Sequence, residues 1–236
     1  MRFWQHSTRT LPGHTGLGCA PGAPAGSRYT FSVQPHRETE IKLVVSDLKS
    51  ILIKIRSLRA RCLGRVFESN TLYDTPSLDL RRSNTLLRVR VETPAPLRSV
   101  RLGAGRCRAT LTMKSPAPAG ASAARFKIKL ETEVAIDHPR RWIAQLHAIG
   151  LRAGFRYEKF RSTFVLPGLH LDLDETPVGI FLEIEGEPQA IDRAARALGF
   201  SRRDYLRSSY WDLYAADCRR RGVSPRHMIF RSRKLS

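Results

Sequence analysis

Nearly every strand-like segment of this chain carries charged side chains at every second position, and this feature constrains its fold more than any other. Successive side chains of a strand point to opposite faces, so residues i, i+2 and i+4 lie together. Glu38, Glu40 and Lys42 share one face, with Ile41 and Leu43 on the other. Arg88 and Arg90 oppose Leu87, Val89 and Val91. Arg108, Thr110, Thr112 and Lys114 oppose Leu111 and Met113, and Arg125, Lys127, Lys129, Glu131 and Glu133 oppose Phe126, Ile128 and Leu130. Lys159 and Arg161 share a face, Asp172 and Asp174 oppose Leu171 and Leu173, and Glu183 and Glu185 oppose Leu182 and Ile184.

Alternation of this kind ordinarily marks a sheet with one solvated face. Here the polar faces are almost purely charged, and like charges sit side by side, which destabilises a sheet unless something neutralises them. A closed barrel with a charged interior satisfies both points. About eight strands close around a small lumen. Acidic and basic side chains then meet inside, and the apolar faces point outward to be covered by helices. Buried charge must be compensated, so the natural guest is a polyanion with metal cations. Carboxylates suit hard cations, and Arg and Lys suit phosphate oxygens.

The rest of the chain agrees with this reading. Strands are expected at about 38–44, 65–73, 85–92, 108–114, 125–135, 154–166, 169–175 and 179–186. Helices are expected after a cap at Ser46 or Asp47, at 139–149, at 188–198, and at about 204–216. The fold class is therefore α+β, β-rich, with no βαβ alternation. Residues 1–36, rich in Gly, Pro, Ser and Thr, read as an irregular or disordered extension. The domain spans 37–217, and 218–236 form a basic tail expected to be mobile. Pro94, Pro96, Gly103 and Gly105 mark a loop over 93–106, and 115–124 form a second.

The net charge of +20 invites a nucleic-acid reading. Its weight is reduced because 33 of the 41 basic residues are Arg, amid much Ala, Gly and Pro, which is the mark of a GC-rich genome. The excess also gathers at the ends: the stretch from Arg219 to Ser236 holds seven Arg or Lys and no acid. A weak, salt-sensitive contact with nucleic acid is expected there. The four cysteines form no CxxC and have no His at ligand spacing, which argues against zinc and for reduced thiols in a cytoplasmic protein. No apolar run reaches the roughly 20 residues of a membrane helix. The histidines are given no role, and Trp142 and Trp211 are read as helix packing.

The pattern ExExK at Glu38-Thr39-Glu40-Ile41-Lys42 resembles the signature of the CYTH superfamily, the triphosphate tunnel metalloenzymes. Later segments resemble that family's motifs in order. They are Tyr73-Asp74-Thr75-Pro76, Leu87-Arg88-Val89-Arg90, Leu111-Thr112-Met113-Lys114, Glu131-Thr132-Glu133, Tyr157-Glu158-Lys159-Phe160-Arg161, Leu173-Asp174-Glu175, and Glu183-Ile184-Glu185. Ser209-Tyr210 also fits. The extension before the signature and the Arg-rich stretch at about 93–107 depart from the family pattern without touching these residues.

The resemblance implies a tunnel of eight antiparallel strands. It implies Mg²⁺ or Mn²⁺ held by Glu38, Glu40, Asp174, Glu183 and Glu185, with Glu131 and Glu133 as helpers. It implies phosphate binding by Lys42, Arg88, Arg90, Lys114, Lys159 and Arg161, assisted by Lys127, with Glu38, Glu40 and Lys42 at the catalytic centre. The expected substrate is a triphosphate: tripolyphosphate, ATP or thiamine triphosphate. Water attacking the terminal phosphorus makes a triphosphatase, of which inorganic triphosphate asks least of the site. A ribose 3′-hydroxyl attacking the α-phosphorus makes a class IV adenylate cyclase. A non-catalytic polyphosphate- or nucleic-acid-binding module is the third reading, although a binder has no use for so many inward carboxylates. The chain is expected to act as a monomer or homodimer, away from membranes.

Overall fold

The computed structural model describes residues 35–95, 107–118 and 125–230. The expected extension up to residue 34, the loop from 96 to 106 with most of the Arg-rich stretch, residues 119–124 and the last six residues of the tail lie outside the described residues. Eight strands form a closed barrel: β1 (His36–Val45), β2 (Arg61–Asp74), β3 (Leu86–Pro94), β4 (Arg108–Pro116), β5 (Lys127–Ala135), β6 (Arg152–Leu166), β7 (Leu169–Thr176) and β8 (Gly179–Gly186). Around the wall the order is β1-β5-β4-β3-β2-β6-β7-β8, every pair antiparallel. The expected charged tunnel in an α+β frame is the fold found.

The apolar strand faces point outward, so helices must cover them. The helices α1 (Leu48–Ser57) and α4 (Pro188–Ala197) cover the β1–β8–β7 side. There Ile41, Leu43, Leu171, Leu173, Leu182 and Ile184 pack with Ile51, Ile55, Ile191, Ala195 and Leu198. Each large aliphatic side chain fully buried in this way contributes about 1.5–3 kcal/mol. Asp47 caps α1, its carboxylate accepting from the amides of Lys49 and Ser50. The helix α3 (Pro139–Ala148) covers the β3 side, where Tyr73, Val89, Ile136 and Leu146 form a second cluster. The four-residue α2 (Asp79–Arg82) sits in the β2–β3 connection. Among the described residues no helix is long and apolar enough to cross a membrane.

The last helix differs from expectation. Arg202–Asp204 make only a 3₁₀ turn, and α5 spans Tyr210–Arg220 rather than 204–216. Two Ser-x-x-Asp capping boxes lie in this stretch, Ser201/Asp204 and Ser209/Asp212, and the second starts the longer helix. Between them Leu206 exchanges both backbone hydrogen bonds with Lys42, at 3.1 and 2.8 Å, which a helical residue could not do.

That exchange repairs the barrel wall. β5 pairs with β1 only over His36–Glu40, so the edge of β1 at Lys42 is open until Leu206 takes it. A second opening lies between β6 and β7, which pair only from Phe160 onward. Met228, fully buried, runs parallel to Tyr157 there. Its amide donates to the Arg156 carbonyl, and its carbonyl accepts from the Glu158 amide, each at 2.9 Å. The basic tail is thus fixed as far as Phe230, contrary to the mobility expected from its charge: unpaired backbone at a sheet edge is a strong acceptor of a further strand.

Gly186, at the end of β8, has φ +149°, and a Cβ there would stand 2.4 Å from the Gly168 carbonyl oxygen. Gly186→Ala is expected to destabilise the protein by at least about 1–3 kcal/mol in urea unfolding. An unchanged midpoint would show that the β6–β7 turn yields freely.

Candidate active site

The barrel encloses a cavity of about 980 Å³. Strand alternation places Glu38, Glu40 and Lys42 from β1, Arg88 and Arg90 from β3, Lys114 from β4, Lys127 from β5, Lys159 and Arg161 from β6, and Glu183 and Glu185 from β8 on its wall. Glu131, Glu133 and Asp174 are not part of that lining. They stand behind it as partners of the cations. Glu131 lies 2.9 Å from the Lys114 ammonium. Glu133 accepts from Thr112 at 2.6 Å and from Arg88 at 3.3 Å. Asp174, with no exposed surface, accepts from Lys159 at 2.8 Å, from Arg161 at 2.7 and 2.6 Å, and from Tyr210 at 2.6 Å.

The remaining pairs fill the lumen. Lys114 donates to both oxygens of Glu38 at 2.6 Å, Lys127 to Glu40 at 2.6 Å, and Lys42 reaches Glu183 at 2.8 Å. Arg161 is the hub, meeting Asp172 at 2.8 Å as well as Asp174 and Glu183. Lys129 also lines the cavity, donating to the carbonyl and side chain of Asn84.

The sequence reading leaves out part of what the structure places at or beside this wall. Glu68 on β2 is completely buried, 3.4 Å from Arg90 and 3.5 Å from Lys159. Its Oε1 accepts no hydrogen bond. Its strand face reads Val66, Glu68, Asn70, Leu72, a mixture that the charge alternation does not flag. Tyr210 lies under the ammonium groups of Lys42 and Lys159, at 4.5 and 4.9 Å from the ring centre. The sequence reading matched Ser209-Tyr210 to the family pattern and put it in the last helix, but did not place it against these lysines. Trp211, read as packing, does pack against the cluster of Phe155, Tyr157 and Tyr210, and it also lines the cavity, as do His170 and His227.

Electrostatics divide the lumen into two zones. Burial alone would raise the pKa of every carboxyl group. Around Glu68, however, Lys159, Arg90 and Arg161 overcome burial and hold its carboxyl well below the usual range. Lys42, Lys159 and Arg161 do the same to Glu183. At Glu185 the balance reverses. Burial first, then the charges of Glu38, Glu131 and Glu40, push its carboxyl up to about 7, with only Lys114 opposing. Glu38 is raised as well, by burial and by Glu40. The zone of Glu38, Glu131 and Glu185 is thus short of positive charge, whereas the zone of Arg88, Arg90, Lys159 and Arg161 is rich in it.

A hard divalent cation fits the first zone in charge and in donor type, since its oxygen donors are carboxylates. Among the described residues no three such side chains converge as a ready metal cage. Glu38 and Glu40 are instead turned onto Lys114 and Lys127, which a phosphate could draw away.

No curated protein matches the sequence. The fold is that of the PH1819 protein of Pyrococcus horikoshii OT3, with 24% identity, a TM-score of 0.61, and 76% of this chain and 99% of that chain covered. A candidate adenylate cyclase from Vibrio parahaemolyticus follows at 20% identity and TM-score 0.62, covering 76% and 98%. A conserved protein of Pyrococcus furiosus follows at 20% and 0.56, covering 75% and 99%. The CYTH domain model matches residues 36–210, from the first residue of β1 to the first of α5, and so takes in all eight strands and every charged wall residue described above. The chain belongs to the CYTH domain family.

Proposed function

We propose that the tunnel binds a triphosphate chain beside a divalent cation and hydrolyses it at the terminal phosphorus, the substrate being inorganic triphosphate or an organic triphosphate. The observation that carries this reading is the division of the lumen. One enclosed space holds a cation-rich wall suited to phosphate oxygens and a carboxylate group short of positive charge. A binder of polyanions needs only the first.

In this reading Arg88, Arg90, Lys159 and Arg161 hold the phosphates, the guanidinium groups through paired N–H donors. Lys114 and Lys127 leave their carboxylates for phosphate oxygens as the chain enters. Glu38 and Glu40, released in that exchange, join Glu185 and, helped by Glu131 and Glu133, hold Mg²⁺ or Mn²⁺. Asp174 keeps Lys159 and Arg161 in place from behind, and Glu183 orients Lys42. When bound, the metal neutralises phosphate charge and lowers the pKa of coordinated water, supplying the nucleophile. The arginines, fixed in advance by buried carboxylates, stabilise charge on the leaving group without reorganising.

The test offers tripolyphosphate and ATP to the purified chain with Mg²⁺ or Mn²⁺ and resolves the products. Orthophosphate is expected, and Glu40→Gln is expected to lower kcat/KM by about 10²–10³-fold, as for loss of one charge-stabilising group. Cyclic AMP with pyrophosphate would replace this reading by the cyclase. A folded protein that turns over neither substrate would leave a polyanion binder.

A further inference from the structure

Glu68 stands where a ligand cannot touch it. It and Asn70, its neighbour on the same face of β2, have no exposed surface, and neither lines the cavity. β2 runs between β3, which carries Arg90, and β6, which carries Lys159 and Arg161. Three cations of the phosphate-binding wall therefore surround the Glu68 carboxylate: Arg90 Nη1 at 3.4 Å, Lys159 Nζ at 3.5 Å and Arg161 Nε at 3.6 Å.

Its manner of contact differs from that of Asp174. Both Asp174 oxygens accept short hydrogen bonds, at 2.6 to 2.8 Å, from Lys159, Arg161 and Tyr210, and these fix where the groups point. Glu68 stands farther from its cations than a good hydrogen bond reaches. Its Oε2 accepts from the Asn70 amide at 3.2 Å, and its Oε1 accepts no hydrogen bond. Arg90 is oriented by Asn70 instead, whose Oδ1 accepts from Arg90 Nε at 3.1 Å. Glu68 thus grips little, and what it supplies is charge. Burial works against that charge, but Lys159, Arg90 and Arg161 hold the carboxyl well below the usual range. A full negative charge sits directly behind the cations, in a place that neither water nor ligand enters, where screening is weak.

A phosphate in the tunnel meets the same cations from the other side, and Glu68 offsets part of the positive charge it meets. This matters because hydrolysis of a triphosphate leaves pyrophosphate and orthophosphate, which bear the same kind of oxygens as the substrate. A wall of undiminished charge would retain them. Binding substrate and product more tightly does not speed the chemical step, whereas slow release limits turnover in many enzymes.

We propose that Glu68 is a buried counter-charge, which holds down the affinity of the cation wall for phosphates so that the products of hydrolysis leave the tunnel. The role in product release rests on the triphosphatase reading, and the counter-charge itself is read from binding alone.

The experiment titrates pyrophosphate and tripolyphosphate calorimetrically into the full chain, in chelator, at neutral pH and fixed ionic strength. Wild type is compared with Glu68→Gln, Glu68→Asp and Asp137→Asn. Glu68→Gln is expected to bind both anions about tenfold or more tightly, the order expected when one weakly screened charge is removed behind the site. Glu68→Asp keeps the charge and should stay within about threefold of wild type. Asp137, whose side chain is 84% exposed, is the control for net charge, and Asp137→Asn should bind as wild type does. A carboxylate that only braced the wall would give the opposite sign, since its loss would loosen the cations and weaken binding. Unchanged or weaker binding in Glu68→Gln overturns the inference, as does equal tightening in Glu68→Asp or Asp137→Asn. During hydrolysis of tripolyphosphate, inhibition by pyrophosphate should strengthen in Glu68→Gln by the same factor while kcat falls, and inhibition equal to that of wild type overturns the inference too. If wild type turns over no triphosphate, the triphosphatase reading fails, and the titration still decides whether Glu68 weakens anion binding. If Glu68→Gln is too unstable to titrate, its melting decides: a rise in Tm on adding pyrophosphate that exceeds the wild-type rise upholds the inference, and an equal or smaller rise overturns it.

Discussion

Arg161→Met is expected to destabilise the protein by about 3–5 kcal/mol and to abolish turnover. Arg161 meets Asp172, Asp174 and Glu183 together and stands 3.6 Å from Glu68. Its partners are buried or nearly so, and burial opposes their charged forms. Removing one member of such a group leaves uncompensated charge in the interior, which costs far more than the pair contributes when intact. The pH dependence tests the cause. Glu183 is held well below its ordinary pKa of 4.5 by Lys42, Lys159 and Arg161, which overcome burial. A lowered carboxyl contributes stability above its unfolded pKa and loses it as pH falls through the folded one. The deficit of Arg161→Met should therefore be complete at neutral pH and shrink below about 4, where the orphaned carboxylates take up protons. Urea unfolding at the two pH values measures it. A deficit under about 1 kcal/mol at neutral pH would mean that Lys42 and Lys159 suffice for these carboxylates. Arg161→Lys should fall between, because an ammonium keeps the charge without the planar fork that meets several oxygens at once.

Glu185→Gln has the opposite sign. In the absence of divalent cation the Glu185 carboxyl is pushed from 4.5 to about 7 by burial and by Glu38, Glu131 and Glu40. A raised carboxyl has its full stability below the unfolded pKa and loses it as pH rises through the folded one. Wild type and Glu185→Gln should therefore melt alike in chelator below pH 4.5. Above pH 7 the variant should be more stable by about 1–2 kcal/mol, less than the full shift because solvent screens a carboxyl that is partly exposed, or roughly 2–8 °C in a domain of this size. Adding Mn²⁺ above pH 7 should reverse the order, since in the proposed reading the charge that destabilises the metal-free protein is the charge that holds the ion. If the variant gained nothing in chelator, the crowding of Glu38, Glu131 and Glu185 would already be relieved by Lys114. If Mn²⁺ raised both proteins equally, the ion would bind elsewhere.

The two expectations draw on the same design. The lumen is held ready for a charged guest by ion pairs that are internally satisfied at Arg161 and unsatisfied at Glu185. Stability and function pull against each other at the second place, as is common where a binding site is assembled before its ligand arrives.

Much of this was legible in the chain itself. Charge at every second position from Glu38 to Lys42, and again from Asp172 to Asp174 and from Glu183 to Glu185, determined which side chains would share a face, because the period of a strand is a local property. The purity of that charge implied an enclosed face, and the order of the motifs supplied the family. What no local property could determine is which cation stands before which carboxylate, since three of the pairings that close the barrel join strands far apart in sequence: β1 meets β5 and β8, and β2 meets β6. Lys127 on Glu40, Lys114 on Glu38 and the shortage at Glu185 follow from that pairing alone. Glu68 comes from a strand face of mixed character, and its importance comes from Arg90, Lys159 and Arg161, which the two neighbouring strands, β3 and β6, bring to it. The end of the chain was decided in the same way. Its basic composition suggested a solvated tail, but the opening between β6 and β7 exposed backbone groups that needed partners, and Met228 was the residue that tertiary structure brought within reach.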